Sequence, residues 1–224
     1  MSVRNYWAGS QQHGLAWDCA TGNGQAAIGL SEYFDKVVAT DVSENQIFNA
    51  LKNDKISYYV EEAETPSLEN NSVDLISVAQ ALHWFNYEKF WDTVDRVLKP
   101  GGVFIAWGYD WFHVDDAIDE AINKHILDSI ESYWAPQNRI LWEGYKDVGF
   151  PLERVEFEPY QLEMSWSLDQ FFSYIHSWSA TRRCMEKTGY DFFNKAYEEV
   201  QKIWGDKEAA KTVSMPLHIL AGRK

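Results

Sequence analysis

The chain has few cysteines, little positive charge and no long apolar run. Its 224 residues carry 20 Lys and Arg against 34 Asp and Glu, which gives a formal net charge of -14. This balance argues against a nucleic-acid backbone or an anionic membrane surface as a partner, because both attract clustered cations. Cys19 and Cys184 are the only cysteines, which is too few for a disulfide framework and typical of a reducing compartment.

Targeting signals and metal-ligand patterns are also lacking. The opening residues, MSVRNYWAGSQQHG, contain no apolar segment of the secretory type, and no later stretch reaches membrane-spanning length. We therefore expect a cytoplasmic protein without membrane contact. His113, His125 and His176 have no ligand spacing with a cysteine or an acid, so no metal is predicted.

The first half of the chain alternates strand and helix patterns. Apolar or β-branched runs predict five strands, at 15–19, 36–41, 56–60, 73–79 and 103–109. Helical spacing predicts helices at 24–34, 43–52 and 86–98. Such alternation indicates right-handed crossovers and a parallel sheet that is covered by helices on both faces.

The second half is less regular and rich in aromatic residues, which suit either a core or a pocket wall. Isoleucines recur every four residues and predict an amphipathic helix over 115–134, and helices are also predicted at 167–179 and 191–204. Residues 154–166 and 212–224 predict strands, the first with Pro159 at an edge or bulge. Since no linker interrupts residues 1–224, we expect one domain with a helical cover at 110–150 and 167–205.

The stretch LAWDCATGNG, residues 15–24, ends the first strand and leads into the first helix. Gly22 and Gly24 let the backbone approach a ligand and leave N–H groups to face it. Asp41 ends the second strand, where an acid can accept both hydroxyls of a ribose. These positions belong to the carboxyl edge of the sheet, at which ligands bind. A nucleoside ligand is therefore predicted.

Asp18 helps to choose among nucleosides. Its carboxylate would repel a pyrophosphate and attract an ammonium group, so a nucleoside that bears an amino acid fits better than a dinucleotide. The looser dinucleotide fingerprint Gly22-x-Gly24-x-x-Ala27 keeps a nicotinamide oxidoreductase as an alternative. A structural alternative also stays open, in which Asp18 holds the turn and Asp41 caps the following helix.

Five segments follow one another as they do in class I S-adenosylmethionine-dependent methyltransferases: DCATGNGQAA, VVATDVSENQI, YYVEEAETP, SVDLISVAQALHWF and RVLKPGGVFIAWGY. AQALHWF and WGY are most similar to the type 11 subgroup that includes trans-aconitate methyltransferase, and MPLHILAGRK resembles its last antiparallel strand. The resemblance implies a doubly wound α/β fold of the Rossmann-like type. Its mostly parallel seven-stranded sheet would have the order 3-2-1-4-5-7-6, with an inserted helical cover and a cofactor-binding core at 15–109.

The resemblance also implies which residues bind the cofactor, S-adenosyl-L-methionine. Asp18 and the 20–24 loop would hold the methionine part, Asp41 the ribose, and Val42 the adenine ring. The full implied set is Asp18, Ala20, Gly22, Gly24, Asp41, Val42, Glu62, Ala63, Ala79 and Gln80. Ala20 stands where the family has its first loop glycine, a change that is tolerable if φ is negative. Only 14 residues precede Leu15, so the helix that relatives carry there is expected to be partly absent, or the start truncated.

The implied activity is methylation of a small-molecule acceptor, on a carboxylate oxygen. A carboxylate is ionised near neutral pH and needs no general base, unlike an amine or a phenol. His83 is the candidate catalytic residue, with orientation of Trp84 or of a backbone carbonyl as the alternative. The candidate substrate-binding residues are Trp84, Trp107, Tyr109, Trp178, Arg182 and Arg183. The arginines suit a carboxylate, although they fit a solvated helix surface equally well. A module that binds the cofactor without catalysis is a further alternative.

Overall fold

The computed structural model describes residues 14–224, which form two compact units. The first unit contains the described residues up to Gly108 together with Glu143–Glu158 and His218–Lys224, and the second contains Tyr109–Trp142 and Pro159–Leu217. The predicted single domain, with its core and cover bounds, stays a prediction. The shortened N-terminal helix expected from the sequence falls on residues 1–13 and lies outside the described residues. Between residues 14 and 224, no helix is long and apolar enough to cross a membrane.

The described strands form one eight-stranded sheet. Its strands are β1 (Leu15–Cys19), β2 (Lys36–Asp41), β3 (Ile56–Val60), β4 (Val73–Ala79), β5 (Leu98–Tyr109), β6 (Glu153–Arg154), β7 (Tyr160–Trp166) and β8 (Lys211–Arg223). The order is β3-β2-β1-β4-β5-β8-β6, with β7 also paired to β8. The pairs from β3 through β5 are parallel. This arrangement confirms the predicted Rossmann-like fold class.

The strand predicted at 154–166 is two strands. The segment β6 ends at Arg154 and β7 begins at Tyr160, directly after Pro159. Both pair antiparallel with β8, so the predicted order 3-2-1-4-5-7-6 is recovered when they are counted as one interrupted strand. Proline has no N–H group to donate to a ladder, which accounts for the interruption at Pro159.

The helices of the first unit follow the strands as predicted, although the first two end earlier than predicted. They are α1 (Gln25–Ser31), α2 (Glu44–Phe48), a 3₁₀ turn (Leu82–Trp84) and α3 (Tyr87–Val97). The Ser43 side chain caps α2 by accepting from the backbone N–H of Gln46. The sequence predicts this helix through Lys52, but it ends at Phe48. None of its residues is buried and Phe48 is 88% exposed, so no packing stabilises further turns.

The second unit is mostly helical. Besides β7 and residues 211–217 of β8, its elements are α4 (Asp116–Ile122), a π-helical turn (Asn123–Leu127), α5 (Asp128–Ile130), a 3₁₀ turn (Glu131–Tyr133), α6 (Asn138–Trp142), α7 (Leu168–Ser177), α8 (Ser179–Thr188) and α9 (Asp191–Trp204). The helix predicted over 115–134 is thus one helical run with a wider turn in its middle. Its isoleucines pack in a buried cluster with Phe171 and Trp204.

Candidate cofactor site and its relatives

The predicted cofactor-binding residues all lie in the first unit, at or just after the carboxyl ends of four neighbouring strands. Asp18 precedes the end of β1, Asp41 ends β2, and Ala79 ends β4. Because β1 lies between β2 and β4 and pairs with both in parallel, their carboxyl ends share one edge of the sheet. The fold therefore brings these predicted residues to one edge.

Asp18 is fully buried and its carboxylate is held from three sides. It accepts hydrogen bonds from the Thr21 hydroxyl (2.5 Å) and the Ser77 hydroxyl (2.6 Å), and from the backbone of Ala27. Burial raises the pKa of Asp18 in spite of these bonds, and the negative charge of Asp41 adds to the rise. Asp18 thus fixes Thr21 at the start of the loop, and its contact with a ligand ammonium group stays a prediction.

Asp41 holds the same loop from the second strand. Its Oδ2 accepts from the Gly22 N–H and its Oδ1 from the Ser43 N–H, both at 2.9 Å. A carboxylate has about four lone-pair sites, and these two bonds occupy only half of them. Since Asp41 is also partly exposed, its remaining acceptor capacity suits the two hydroxyls of a ribose.

The loop backbone is left-handed at three of its residues. The φ angles are +56° at Ala20, +58° at Gly22 and +89° at Gly24. A negative φ would have made alanine tolerable at position 20. The φ of Ala20 is positive instead, so this alanine occupies a conformation that favours glycine. A Cβ added at Gly22 would meet nothing within 4 Å, which leaves room beside the loop for a bound molecule.

Gly24 has a different role because a side chain lies against it. A Cβ there would lie 2.2 Å from the Tyr58 hydroxyl oxygen and 3.0 Å from two of its ring carbons. The Tyr58 hydroxyl donates to the Leu51 carbonyl at 2.7 Å. The glycine thus lets a tyrosine of β3 pack on the N-terminus of α1, a packing reason that the sequence pattern alone did not reveal.

The remaining predicted cofactor residues differ in exposure. Val42 follows β2 with 67% of its surface exposed, Glu62 is exposed and Ala63 is 8% exposed. Ala79 and Gln80 are half-buried. Gln80 has a left-handed φ of +55° and its N–H donates to the Trp107 carbonyl at 2.8 Å. An exposed valine beside a carboxylate offers an apolar face to a ring, but the cofactor contacts of all these residues stay predictions.

His83 lies in the 3₁₀ turn after β4 and is only 5% exposed. Burial lowers its pKa to about 4, so its imidazole is neutral at pH 7 and only weakly basic. Its Nδ1 atom has no hydrogen-bond partner within the described part of the chain. The ring lies 4.9 Å from that of Trp84, which is 49% exposed. These features favour orientation of Trp84 over proton abstraction.

The other predicted substrate residues divide between the units. Trp107 belongs to the first unit, whereas Tyr109, Trp178, Arg182 and Arg183 belong to the second. Trp178 is half-buried among other aromatic rings, and its ring centroid lies 5.5 Å from that of Tyr174. Both arginines are exposed on α8, and Arg183 donates to the Tyr133 carbonyl at 3.1 Å. Their contact with an acceptor stays a prediction.

Both hydroxyl groups that hold Asp18 are missing from the predicted site residues: Ser77 was not predicted at all, and Thr21 was included only as part of the 20–24 loop. Ser77 lies opposite Asp18 in the β1–β4 register and is completely buried. A signal was present, because Ser77 is a polar residue inside the apolar run VDLISVA. A buried hydroxyl needs a partner, and the parallel neighbour offers an acid.

The strand order and a glycine loop held by an acid at the end of β2 define a Rossmann-like nucleoside-binding fold. Residues 17–106 match the family described as a methyltransferase domain. A Dictyostelium discoideum protein assigned as a methyltransferase is 31% identical over 96% of this chain and 84% of its own length. The structure of a protein from Anaeromyxobacter dehalogenans, assigned as a type II methyltransferase, is similar with a TM-score of 0.89. It is 34% identical, over 98% of this chain and 94% of that one.

A Saccharomyces cerevisiae protein assigned as an S-adenosylmethionine-dependent methyltransferase is 30% identical, over 41% of this chain and 34% of its own length. The chain belongs to the class I S-adenosylmethionine-dependent methyltransferases. It is a methyltransferase enzyme, which decides against a module without catalysis and against a nicotinamide oxidoreductase. Membership of the trans-aconitate methyltransferase subgroup stays a prediction.

Proposed function

We propose that this methyltransferase transfers the methyl group of S-adenosylmethionine to a carboxylate oxygen of a small molecule. The observation that carries the proposal is the state of His83, which is buried, neutral at pH 7 and has a pKa lowered to about 4. An amine or phenol acceptor usually needs a base that titrates near the working pH. A carboxylate is already ionised there and needs none.

The residues at the carboxyl edge fit the cofactor. The Asp41 carboxylate retains acceptor capacity for a ribose, Val42 presents an exposed apolar side chain, and Gly22 has open space beside it. When bound, S-adenosylmethionine supplies an electrophilic methyl group on a sulfonium. Asp18 supports the site indirectly, because it fixes Thr21 and with it the start of the loop.

The chain's own contribution to the reaction is then positioning. Methyl transfer is an in-line displacement, for which orientation and exclusion of water can lower the barrier substantially. The neutral imidazole of His83 would orient the exposed indole of Trp84 toward the acceptor without taking a proton. The proposed compartment is the cytoplasm, because Cys19 and Cys184 are free, buried thiols of the kind that reducing compartments maintain.

The chemical identity of the product tests the proposal. The protein is incubated with labelled S-adenosylmethionine and one of three acceptor panels. The first panel contains carboxylates, namely polyacids such as trans-aconitate and fatty acids; the second contains amines and the third phenols. We expect label only in the carboxylate panel, and we expect mild alkali to release it as methanol, because a methyl ester hydrolyses there whereas an N-methyl amine or aryl methyl ether survives. Label that resists alkali in amines or phenols would overturn the proposal.

Two substitutions separate cofactor binding from acceptor chemistry. His83→Gln should change kcat by less than about tenfold, since loss of a general base typically lowers the rate about 10²- to 10⁴-fold. Asp41→Asn should weaken S-adenosylmethionine binding in a calorimetric titration, because the neutral amide holds the Gly22 N–H less well. Asp54→Asn is the matched control, an exposed acid in the loop before β3. Equal affinity of the two Asn variants would contradict the assignment of Asp41.

A further inference from the structure

Within the first unit, the segment that contains the predicted adenine contacts is bonded to helix α3. This segment, residues 61–68, follows directly after β3. Thr93, a buried residue of α3, donates its hydroxyl hydrogen to the Glu64 backbone carbonyl at 2.6 Å. Arg96, one turn later on the same helix, donates to two further backbone carbonyls of the segment. The segment and the helix are therefore held together by several hydrogen bonds.

The side chain of Glu64 adds a bond to the first turn of this helix. Its Oε1 accepts from the backbone N–H of Asn86 at 2.8 Å. Asn86 is the N-cap of α3, and its own side chain accepts from the Lys89 N–H. The N-terminus of a helix leaves N–H groups without intrahelical partners and favours negative charge. The Glu64 carboxylate suits this position on both grounds.

The bond from Glu64 replaces one that a helix can make locally. In a capping box, the residue at N3 reaches back to the N-cap N–H. Helix α7 has this arrangement, since the Gln170 side chain accepts from the Ser167 N–H at 2.9 Å. In α3 the N3 residue is Lys89, whose side chain has no acceptor. The N-cap of α3 instead uses an acid 22 positions earlier in the chain, beside the predicted adenine contacts.

On its other side, this bond reaches the turn that is predicted to meet the acceptor. The 3₁₀ turn Leu82–Trp84 contains the candidate catalytic histidine and the exposed tryptophan, and Asn86 follows it by two residues. Just before the turn, the Gln80 N–H donates to the Trp107 carbonyl at 2.8 Å. A neighbouring strand thus holds one end of the turn, and Glu64 holds the other.

We propose that Glu64 is a positioning residue that carries the effect of cofactor binding to the turn Leu82–Trp84. A ligand that contacts Glu62 and Ala63 restricts the segment, and the bond to Asn86 extends this restriction to the turn. The acceptor then meets an ordered turn only after the cofactor has bound. The inference rests on the predicted adenine contacts and goes beyond the proposed function, because the chemistry of the acceptor plays no part in it.

Hydrogen exchange measures the order of the turn directly. The full-length protein is exchanged with and without S-adenosylhomocysteine, which carries the same adenosine and has no methyl group to transfer. Peptides that cover residues 82–90 are followed by mass spectrometry. We expect the ligand to slow their exchange about fivefold or more in the wild-type protein. Unchanged exchange in wild-type protein that calorimetry shows to be saturated would overturn the proposal.

Substitutions at Glu64 separate its side-chain bond from the other bonds of the segment. Glu64→Ala removes the acceptor and should reduce the slowing to less than about twofold, even when the variant is saturated with ligand. Glu64→Gln keeps an Oε1 acceptor and should retain most of the slowing. Glu61→Ala is the matched control, because the Glu61 carboxylate accepts from the Ser67 N–H inside the same segment. Wild-type slowing in Glu64→Ala would contradict the proposal.

A local capping box distinguishes transmission from the mere loss of a helix cap. Lys89→Gln gives α3 the arrangement that α7 has. Combined with Glu64→Ala, it should return the ligand-free exchange of residues 86–90 to the wild-type rate, while the response to the ligand stays lost. If the response returns as well, Glu64 only caps the helix and the proposal is wrong.

The two proposals fail separately. The exchange experiment contains no acceptor, so a negative result leaves methylation of a carboxylate standing. Label that is found in amines or phenols would overturn the proposed function and would leave the exchange result unchanged.

Discussion

A methyl group added at Gly24 is expected to destabilise the protein through two separable effects. The residue has a φ of +89°, and the new Cβ would lie 2.2 Å from the Tyr58 hydroxyl oxygen. A side chain at positive φ loses about 1–2 kcal/mol, and forcing a methyl group into filled space loses about 1–3 kcal/mol. Alanine leaves the unfolded chain less conformational freedom than glycine does, which offsets about 0.4–1 kcal/mol of the lost stability. Gly24→Ala should therefore lower the free energy of unfolding by about 2–4 kcal/mol.

Gly22 provides the matched control, because it shares the left-handed conformation without the steric contact. Its φ is +58°, and nothing lies within 4 Å of an added Cβ. Gly22→Ala should lose only about 1 kcal/mol of stability. It should instead weaken S-adenosylmethionine binding, since its methyl group would enter the open space beside the loop. Gly24→Ala should thus act mainly on stability, and Gly22→Ala mainly on cofactor affinity.

The assay is urea unfolding monitored by circular dichroism, combined with calorimetric titration of S-adenosylmethionine. A double-mutant cycle with Tyr58→Phe isolates the clash, because phenylalanine removes the 2.2 Å contact and leaves the ring carbons at 3.0 Å. We expect a coupling of about 1 kcal/mol or more between Gly24→Ala and Tyr58→Phe, and none with Gly22→Ala. Equal stability losses for the two glycines, or zero coupling at Gly24, would refute this account of the loop.

Three further substitutions test the buried groups around the loop. Ser77→Ala removes the hydroxyl that bonds Asp18 and should lower the free energy of unfolding by about 1.5–3 kcal/mol; the exposed Ser57→Ala should change it little in the same urea series. His83 has a folded pKa of about 4 against 6.5 in the unfolded chain, so the unfolded state binds more protons and stability rises with pH between these values, by roughly 3 kcal/mol in total. His83→Gln should flatten that slope, and an unchanged slope would contradict the burial of a neutral imidazole. Ala20→Gly should relieve the φ of +56° and raise stability by up to about 1 kcal/mol; a loss would show that Ala20 is not strained.

Much of the sheet could be predicted from the sequence because its strands are covered on both faces. The run VDLISVA became β4, and KVVATD became β2 with Asp41 at its end. Parallel strands place their carboxyl ends at one edge, so the grouping of Asp18, Asp41 and Ala79 followed from the strand order implied by the resemblance. Local rules of this kind need no knowledge of distant contacts.

Contacts between distant residues could not be predicted in this way. The bond from Ser77 to Asp18 joins residues 59 positions apart, and Tyr58 meets Gly24 only because β3 pairs with β2 beside the loop. The left-handed φ of Ala20 also depends on context, since alanine itself disfavours it. Neighbouring residues hold Ala20 in this conformation. One of them is Thr21, whose N–H donates to the Thr40 carbonyl at 2.9 Å.

The isoleucine repeat of the second unit is a local pattern that indicates more than an amphipathic helix. A spacing of four residues exceeds the 3.6 residues of an α-helical turn, so each step rotates the next side chain by about 40°. Three such steps would spread Ile118, Ile122, Ile126 and Ile130 over about 120°, near the edge of a single buried face. A turn with i to i+5 bonding is wider and reverses this drift, and all four isoleucines are at most 1% exposed. The exact spacing of four thus favours a wider turn within the run, and the π turn Asn123–Leu127 lies in the middle of that run.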